Sequence, residues 1–241
     1  MSDPNSQTAY WDAVAETKQF THPLHTPWLD GIGRNAAILD YGCGYGRTMS
    51  TLEQQGFGDL FGVDTSPAMI SRARRLHPAM RFEVLDTPPT LPCADASIDL
   101  VVLFAVLTCI PDDQAQRRLI GEVSRVLKPG GRLYLSDLLL QDDQRNRDRY
   151  IRFTEFTESA ERYGSTYGVF RTDDGAVCRH HHSDWFADLL AGFASIETRP
   201  LTVATMNGHE AAGVQILAGT PASAERRATG PHSVERPSPT S

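Results

Sequence analysis

The chain is predicted to fold as an α/β domain, with helices on both faces of a mostly parallel sheet. Three observations carry that prediction. Short apolar runs at 37–39, 60–64, 80–86 and 98–104 alternate with segments whose apolar residues recur at three- and four-residue spacing. The run Ile98–Phe104 is nearly continuous in its apolar character, as a central strand covered on both faces must be. The early runs close on carboxylates at Asp40, Asp64 and Asp86, and the first breaks abruptly into Gly42, Gly44 and Gly46.

Taken in order, residues 1–9 are polar, with Thr8 a candidate cap for a short helix over Tyr10–Thr17. Two prolines and two histidines among aromatics make Lys18–Trp28 irregular. Ala37-Ile38-Leu39 forms a buried strand, the glycines turn the chain, and a helix resumes at Arg47 and ends near Gly56 and Gly58. A strand–glycine turn–helix presents unpaired backbone N–H groups and the positive end of a helix dipole at the strand's carboxyl edge. That is the geometry of a nucleotide-like cofactor site. Leu60–Asp64 is the second strand, and Asp64 stands about 18 positions beyond Gly46, near the spacing at which a carboxylate meets ribose hydroxyls. Ser66 and Pro67 start a helix over Ala68–Leu76. Met80–Asp86 is the third strand and Ile98–Phe104 the fourth. A helix opens at Pro111-Asp112-Asp113 and stops at Leu127, where a Pro-Gly turn leads into a fifth strand over Arg132–Asp137.

Beyond this, Gln141–Tyr163 is arginine-rich and helical, with Tyr150, Phe153, Phe156 and Tyr163 as an aromatic stripe. Tyr167–Arg179 is a hairpin turning at Asp174-Gly175, Ser183 is a candidate cap for a helix over Asp184–Leu190, and Asn207-Gly208 joins two alternating strands at Ala194–Thr205 and Ala212–Ala218. From Thr220 to Ser241 the chain has little to bury and is expected to be disordered.

Bulk properties limit the function. At 241 residues and 26.6 kDa there is length for one full core, and a net charge of −7 supplies no global field for a phosphate backbone, which argues against nucleic acid. No apolar run approaches a membrane span. Cys43, Cys93, Cys109 and Cys178 are scattered without metal or disulfide spacing, which fits a reducing cytoplasm.

Four stretches in order, over residues 36–137, resemble the class I S-adenosylmethionine-dependent methyltransferases: Asp40-Tyr41-Gly42-Cys43-Gly44-Tyr45-Gly46, Gly62-Val63-Asp64-Thr65-Ser66-Pro67, Leu91–Val102 and Leu127–Leu133. The resemblance, to the small-molecule, type 11-like members, implies a Rossmann-like sheet of seven strands, mostly parallel with the last antiparallel. It also implies N-terminal lid helices and an insertion after the fifth strand. The expected organisation is a single domain over 1–219, divided into a lid (1–35), a cofactor core (36–137), an acceptor-pocket insertion (138–182) and a closing helix and hairpin (183–219), with a tail at 220–241.

What the resemblance implies for the site is equally specific. Asp40, Gly42, Cys43 and Gly44 would hold S-adenosylmethionine and its product S-adenosylhomocysteine, with Asp64 on the ribose. Thr65 and Met69 would border the adenine, Asp86-Thr87 would meet its amino group, Phe104 would lie at the fourth strand's carboxyl end, and Tyr10 would cover the methionine or line the acceptor pocket. Methyl transfer from a sulfonium requires an in-line nucleophile and exclusion of water, and no metal. Where the acceptor must lose a proton, histidine titrates nearest neutrality, which makes His22, His180 and His182 the candidate bases. A solvated turn is the plain alternative for His180-His181-His182. The expected acceptor is O or N of a small molecule, with a secondary metabolite in view. Alternatives are a protein or RNA acceptor, or a cofactor-binding module without its own chemistry. A nicotinamide oxidoreductase is disfavoured by the G-x-G-x-G spacing. Nothing in the sequence sets the oligomeric state.

Overall fold

The structure is a computed structural model that describes residues 7–155 and 167–222. Phe156 and Tyr163 of the expected stripe, and nearly all of the expected tail, lie outside the described residues. Among those described, the order is α1 (Thr8–Val14), β1 (Ile38–Tyr41), α2 (Arg47–Gln54), β2 (Leu60–Asp64), α3 (Pro67–Leu76), β3 (Arg81–Val84), β4 (Ile98–Phe104), α4 (Asp113–Val126) and β5 (Leu127–Leu138). Then follow α5 (Gln144–Thr154), β6 (Val169–Arg171), β7 (Val177–Arg179), α6 (Ser183–Leu189), β8 (Ser195–Ala204) and β9 (Glu210–Gly219).

Seven strands form one sheet in the order β3-β2-β1-β4-β5-β9-β8, and β6 and β7 form a separate antiparallel pair. Pairing is parallel from β3 across to β5, while β9 runs antiparallel to both neighbours. Strand order therefore reverses between β1 and β4, the place where open α/β sheets leave a crevice at their carboxyl ends.

Alternation along β4 explains the two-faced core. Leu100 and Val102 pack with Met49, Leu52 and Ile70 from α2 and α3. Val101 and Leu103 pack with Leu119, Val123, Phe186 and Leu189 from α4 and α6. Leu103 has no exposed surface. Leu103→Ala is expected to cost about 3 kcal/mol through lost burial and a cavity that close-packed neighbours cannot fill. Urea unfolding reads this directly, and a loss below about 1 kcal/mol would contradict the packing described.

The helix starts follow local chemistry. Ser66 Oγ accepts from Met69 N (3.1 Å) with Pro67 at the first helical position, and Asp112 Oδ1 accepts from Ala115 N (2.7 Å). Three local expectations need correction. Thr8 is not a cap but lies inside α1, whose N-cap is Gln7 without a side-chain bond to the helix. The Gln7 amide reaches instead to the carbonyls of Cys109 (2.9 Å) and Val177 (2.6 Å). His182, not Ser183, caps α6, its ring accepting from Asp184 N at 3.3 Å. β5 begins at Leu127, because the Pro-Gly turn is absorbed as an irregularity: Ile98 faces Leu127 and Leu100 faces Arg132.

The N-terminal segment is docked on the sheet's carboxyl edge. Asp12 Oδ1 accepts from Ser66 Oγ (2.6 Å) and Ala68 N (3.0 Å), so α1 helps to satisfy the start of α3. No helix among the described residues is long and apolar enough to cross a membrane.

Candidate functional site

The site is built on the turn after β1. Gly42 and Gly44 have φ of 72° and 53°, a region that L side chains rarely adopt. A Cβ at Gly42 would lie 2.6 Å from Val106 Cγ2, and one at Gly44 would collide with the Phe20 ring. Asp64, at the end of β2, staples this turn to the next. Its Oδ2 accepts from Gly44 N and its Oδ1 from Ser66 N, both at 2.9 Å. The Thr65 backbone also acts on this carboxylate, whose remaining acceptor capacity is left for a ligand. Burial pushes the Asp64 carboxyl up, and the backbone donors pull it back.

Asp40 lies beneath, 3% exposed, with Oδ2 unpartnered among the described residues. Burial pushes its carboxyl up to about 7; Arg47 opposes that shift and Asp64 adds to it. Arg47 donates to the His22 carbonyl (2.5 Å) while its Nε is buried without a partner. Among the described residues, Asp40 and Arg47 thus each carry an unmet buried atom, of opposite polarity, and both residues line the cleft beside a turn that excludes side chains.

The cleft runs on from there. Asp40, Gly42, Cys43, Asp64, Thr65, Met69 and Phe104 line it, and so do His22 and His180. Gly44, also expected there, is not part of that lining; its backbone N–H donates to Asp64. The loop after β4 supplies Ala105, Val106 and Thr108. Asp137, wholly buried, holds that loop by accepting from Thr108 N (3.1 Å) and Leu138 N (2.7 Å), and burial pushes it up to about 7. The N-terminal segment adds Trp11 and Phe20, and the insertion adds Gln141, Arg145, Arg149 and Phe170.

Four of the residues expected at the site are placed elsewhere. Tyr10 turns away, donating to Asp174 Oδ2 (3.0 Å) and packing beside Tyr150 and Phe170, because Asp12 fixes the rotation of α1; Trp11 takes the cleft face. Asp86 and Thr87 are exposed and off the cleft, since β3 ends at Val84 and the chain turns outward; Leu85, Pro88 and Pro89 line it instead. His182 is exposed at the start of α6 beside Asp184 (3.2 Å) and is no base for this cleft. β7 ends at Arg179, so strand alternation does not carry through to His182.

The two remaining histidines are not tuned as bases. His22 Nδ1 meets Ser136 Oγ at 2.8 Å, and burial with the nearby Arg47 lowers its pKa to about 4. His180 Nδ1 meets Tyr150 Oη at 2.6 Å, and burial, then Arg149, lowers it to about 3. Tyr150 Oη accepts from Gln141 N (3.2 Å), and we assign its own proton to Nδ1, which puts the hydrogen of the neutral His180 ring on Nε2. Both rings are neutral at pH 7, far from the range in which proton abstraction is efficient. His181 lies behind, 2.8 Å from Gln116 Nε2. Among the described residues no three His, Cys, Asp or Glu side chains converge to hold a metal.

Comparison with known proteins bears on the same region. The sequence model of the Methyltransferase domain family matches residues 39–135, the span from β1 into β5. A S-adenosylmethionine-dependent methyltransferase structure from Methanosarcina mazei superposes with a TM-score of 0.74 at 26% identity, covering 83% of this chain and all of that one. Residues 39–135 carry a methyltransferase domain of the class I S-adenosylmethionine-dependent family. Among curated relatives, an uncharacterized 37.1 kDa protein in a Streptomyces fradiae transposon is 38% identical over 54% of this chain and 39% of its own length. The ribosomal protein L11 methyltransferase of Paraburkholderia phymatum is 27% identical over 73% of this chain and 54% of its own. The chain thus spans about half the length of these two relatives or less.

Proposed function

We propose that this methyltransferase-family chain transfers the methyl group of S-adenosylmethionine to an oxygen or nitrogen of a small molecule, a secondary metabolite being the expected kind. The carrying observation is one cleft that joins the glycine turn, with Asp40, Arg47, Asp64 and the overlying Phe20, to an insertion end walled by Arg149, Phe170 and His180. Walls from both the N-terminal segment and the insertion suit a compact acceptor better than a polypeptide or RNA. In this reading residues 1–35 form the lid, 138–182 the acceptor pocket and 183–219 the closing helix and hairpin, and all of 1–219 is one domain. All four cysteines are free, Cys43 and Cys178 buried and Cys93 and Cys109 partly so, which supports a cytoplasmic setting.

The residues present suit the cofactor. Its ammonium matches the unmet Asp40 oxygen, its carboxylate the unmet Arg47 nitrogen, and its ribose the remaining acceptor capacity of Asp64. When bound, the sulfonium would supply an activated methyl, to which an in-line lone pair of the acceptor would bond as the S–CH3 bond breaks and the neutral thioether leaves. The chain's own part is to position: the glycine turn admits the donor's close approach, Phe104 and Val106 floor the cleft, and Trp11 and Phe20 exclude water. His22 and His180, their pKa values lowered to about 4 and about 3, are too weakly basic to draw a proton from the acceptor at neutral pH. That favours nucleophiles which are already anionic or carry a free lone pair.

Incubation of the purified chain with methyl-labelled S-adenosylmethionine and, separately, small-molecule extract, bulk protein and RNA tests the acceptor class. Label is expected in the low-mass fraction. Label recovered mainly in polymer would overturn the small-molecule reading. A protein acceptor, the leading alternative, is the activity named for the L11 relative.

A further inference from the structure

We infer that the insertion end of the cleft is an oxyanion subsite, in which Arg149, with Arg145 and the Nε2–H of His180, anchors a carboxylate or phosphate carried by the acceptor. This deepens the methyltransferase reading and rests on it for the identity of the ligand as acceptor.

Arg145 and Arg149 stand one helical turn apart on α5, and both line the cleft. Arg149 is held rather than loose. Its guanidinium lies over the Phe170 ring, 3.9 Å from the centroid, and an Nη donates to Asn146 Oδ1. Asn146, 7% exposed, is itself fixed by donating its amide to Asp143, the N-cap of α5. Nε of Arg149 is buried without a partner. Neither arginine forms an ion pair among the described residues. The charges facing them do not supply one: Asp143 is engaged with Asn146, Glu210 sits exposed at the start of β9, and Asp40 and Asp64 belong to the glycine turn. Burial and the neighbouring Arg145 lower the Arg149 pKa, so the charge is strained in the direction that an anion relieves.

His180 completes the cluster from the hairpin side. Its ring is 4.7 Å from that of Phe170, so Phe170 carries the guanidinium and the imidazole together. The Tyr150 hydroxyl occupies Nδ1, which leaves Nε2–H as the free donor on a residue lining the cleft. Two fixed donors of different shape and a second cation converge in a protein whose overall charge is −7. A local positive end of this kind recognises oxyanions and discriminates against uncharged amides of the same outline.

The test is titration of the full chain, with and without saturating S-adenosylhomocysteine, by benzoate, phenyl phosphate and the uncharged benzamide. At least one anion is expected to bind about tenfold or more tighter than benzamide, and the tighter of the two names the group carried by the acceptor. Arg149→Met should reduce the preference to about twofold or less, Arg149→Lys should keep part of it, and Arg145→Met, at an exposed position that folding tolerates, should reduce it about threefold. Equal affinity for benzoate, phenyl phosphate and benzamide, no binding of either anion at millimolar concentration, or a preference unchanged in both Arg145→Met and Arg149→Met would overturn the proposal. Wild-type chain that ignores S-adenosylhomocysteine yet keeps the anion preference would overturn the methyltransferase reading and leave the subsite standing.

Discussion

Asp64→Ala is expected to weaken S-adenosylhomocysteine binding by about 30- to 100-fold, or about 2–3 kcal/mol. Two losses combine. The direct one is the remaining acceptor capacity of a carboxylate that lines the cleft. The indirect one is the turn itself: Gly44 N and Ser66 N, each 2.9 Å from the carboxylate, lose their acceptor together. The Gly44 turn then relaxes from the shape that admits a ligand. Unfolding temperature should fall as well, since a buried N–H without an acceptor costs about 1–3 kcal/mol. Asp64→Asn separates the two effects. One amide oxygen still serves one N–H, so stability recovers further than affinity. Calorimetric titration of both variants is the measurement, and an Asp64→Ala affinity within about threefold of wild type would place the cofactor elsewhere.

Asp40→Asn is expected to move stability and affinity in opposite directions. In the unfolded chain the carboxyl titrates near its ordinary value of 3.8, and in the fold burial raises it to about 7. The fold therefore disfavours the ionised form. The penalty is absent well below the ordinary value, grows as pH rises toward 7 and is constant above. Removing the charge should raise the apo unfolding temperature by about 5 °C at pH 8 and leave it nearly unchanged at pH 4. Binding behaves in reverse, because the ligand's ammonium needs the carboxylate. Wild-type affinity for S-adenosylhomocysteine should fall about 20-fold from pH 7.5 to 5.5, with a proton released on binding at the lower pH. The Asn variant should bind more weakly at pH 7.5 and show no such slope. A flat wild-type profile over that range would remove Asp40 from the ammonium role. Here the cofactor site stores a destabilising charge that its ligand relieves.

How much of this could be read in advance depended on how local each cause is. Ser66-Pro67 and Asp112 announce their helices because a cap needs only the residues within one turn. Ile98–Phe104 announces a central strand because burial on both faces leaves no polar position. Gly42 and Gly44 announce the turn because the backbone there excludes a Cβ. Tyr10 and Trp11, by contrast, are indistinguishable as aromatic neighbours, and the choice between them was made by Asp12 reaching Ser66 more than fifty positions away. Asp86 ends an apolar run as convincingly as Asp64, yet β3 stops short of it and the side chain turns to solvent. Arg149 gave no signal among the many arginines of its helix; only Phe170, from a separate hairpin, marks it out.

By itself the sequence determined the α/β class, the strand and helix order through the core, and the glycine turn flanked by Asp40 and Asp64. Those features follow from periodicity, capping and backbone sterics, which act over a few residues. Only the tertiary structure decided which histidines stay neutral, which aromatic covers the cleft, and where two arginines stand without carboxylate partners among the described residues. Those outcomes are set by burial and by contacts between distant segments, and neither quantity exists until the chain has folded.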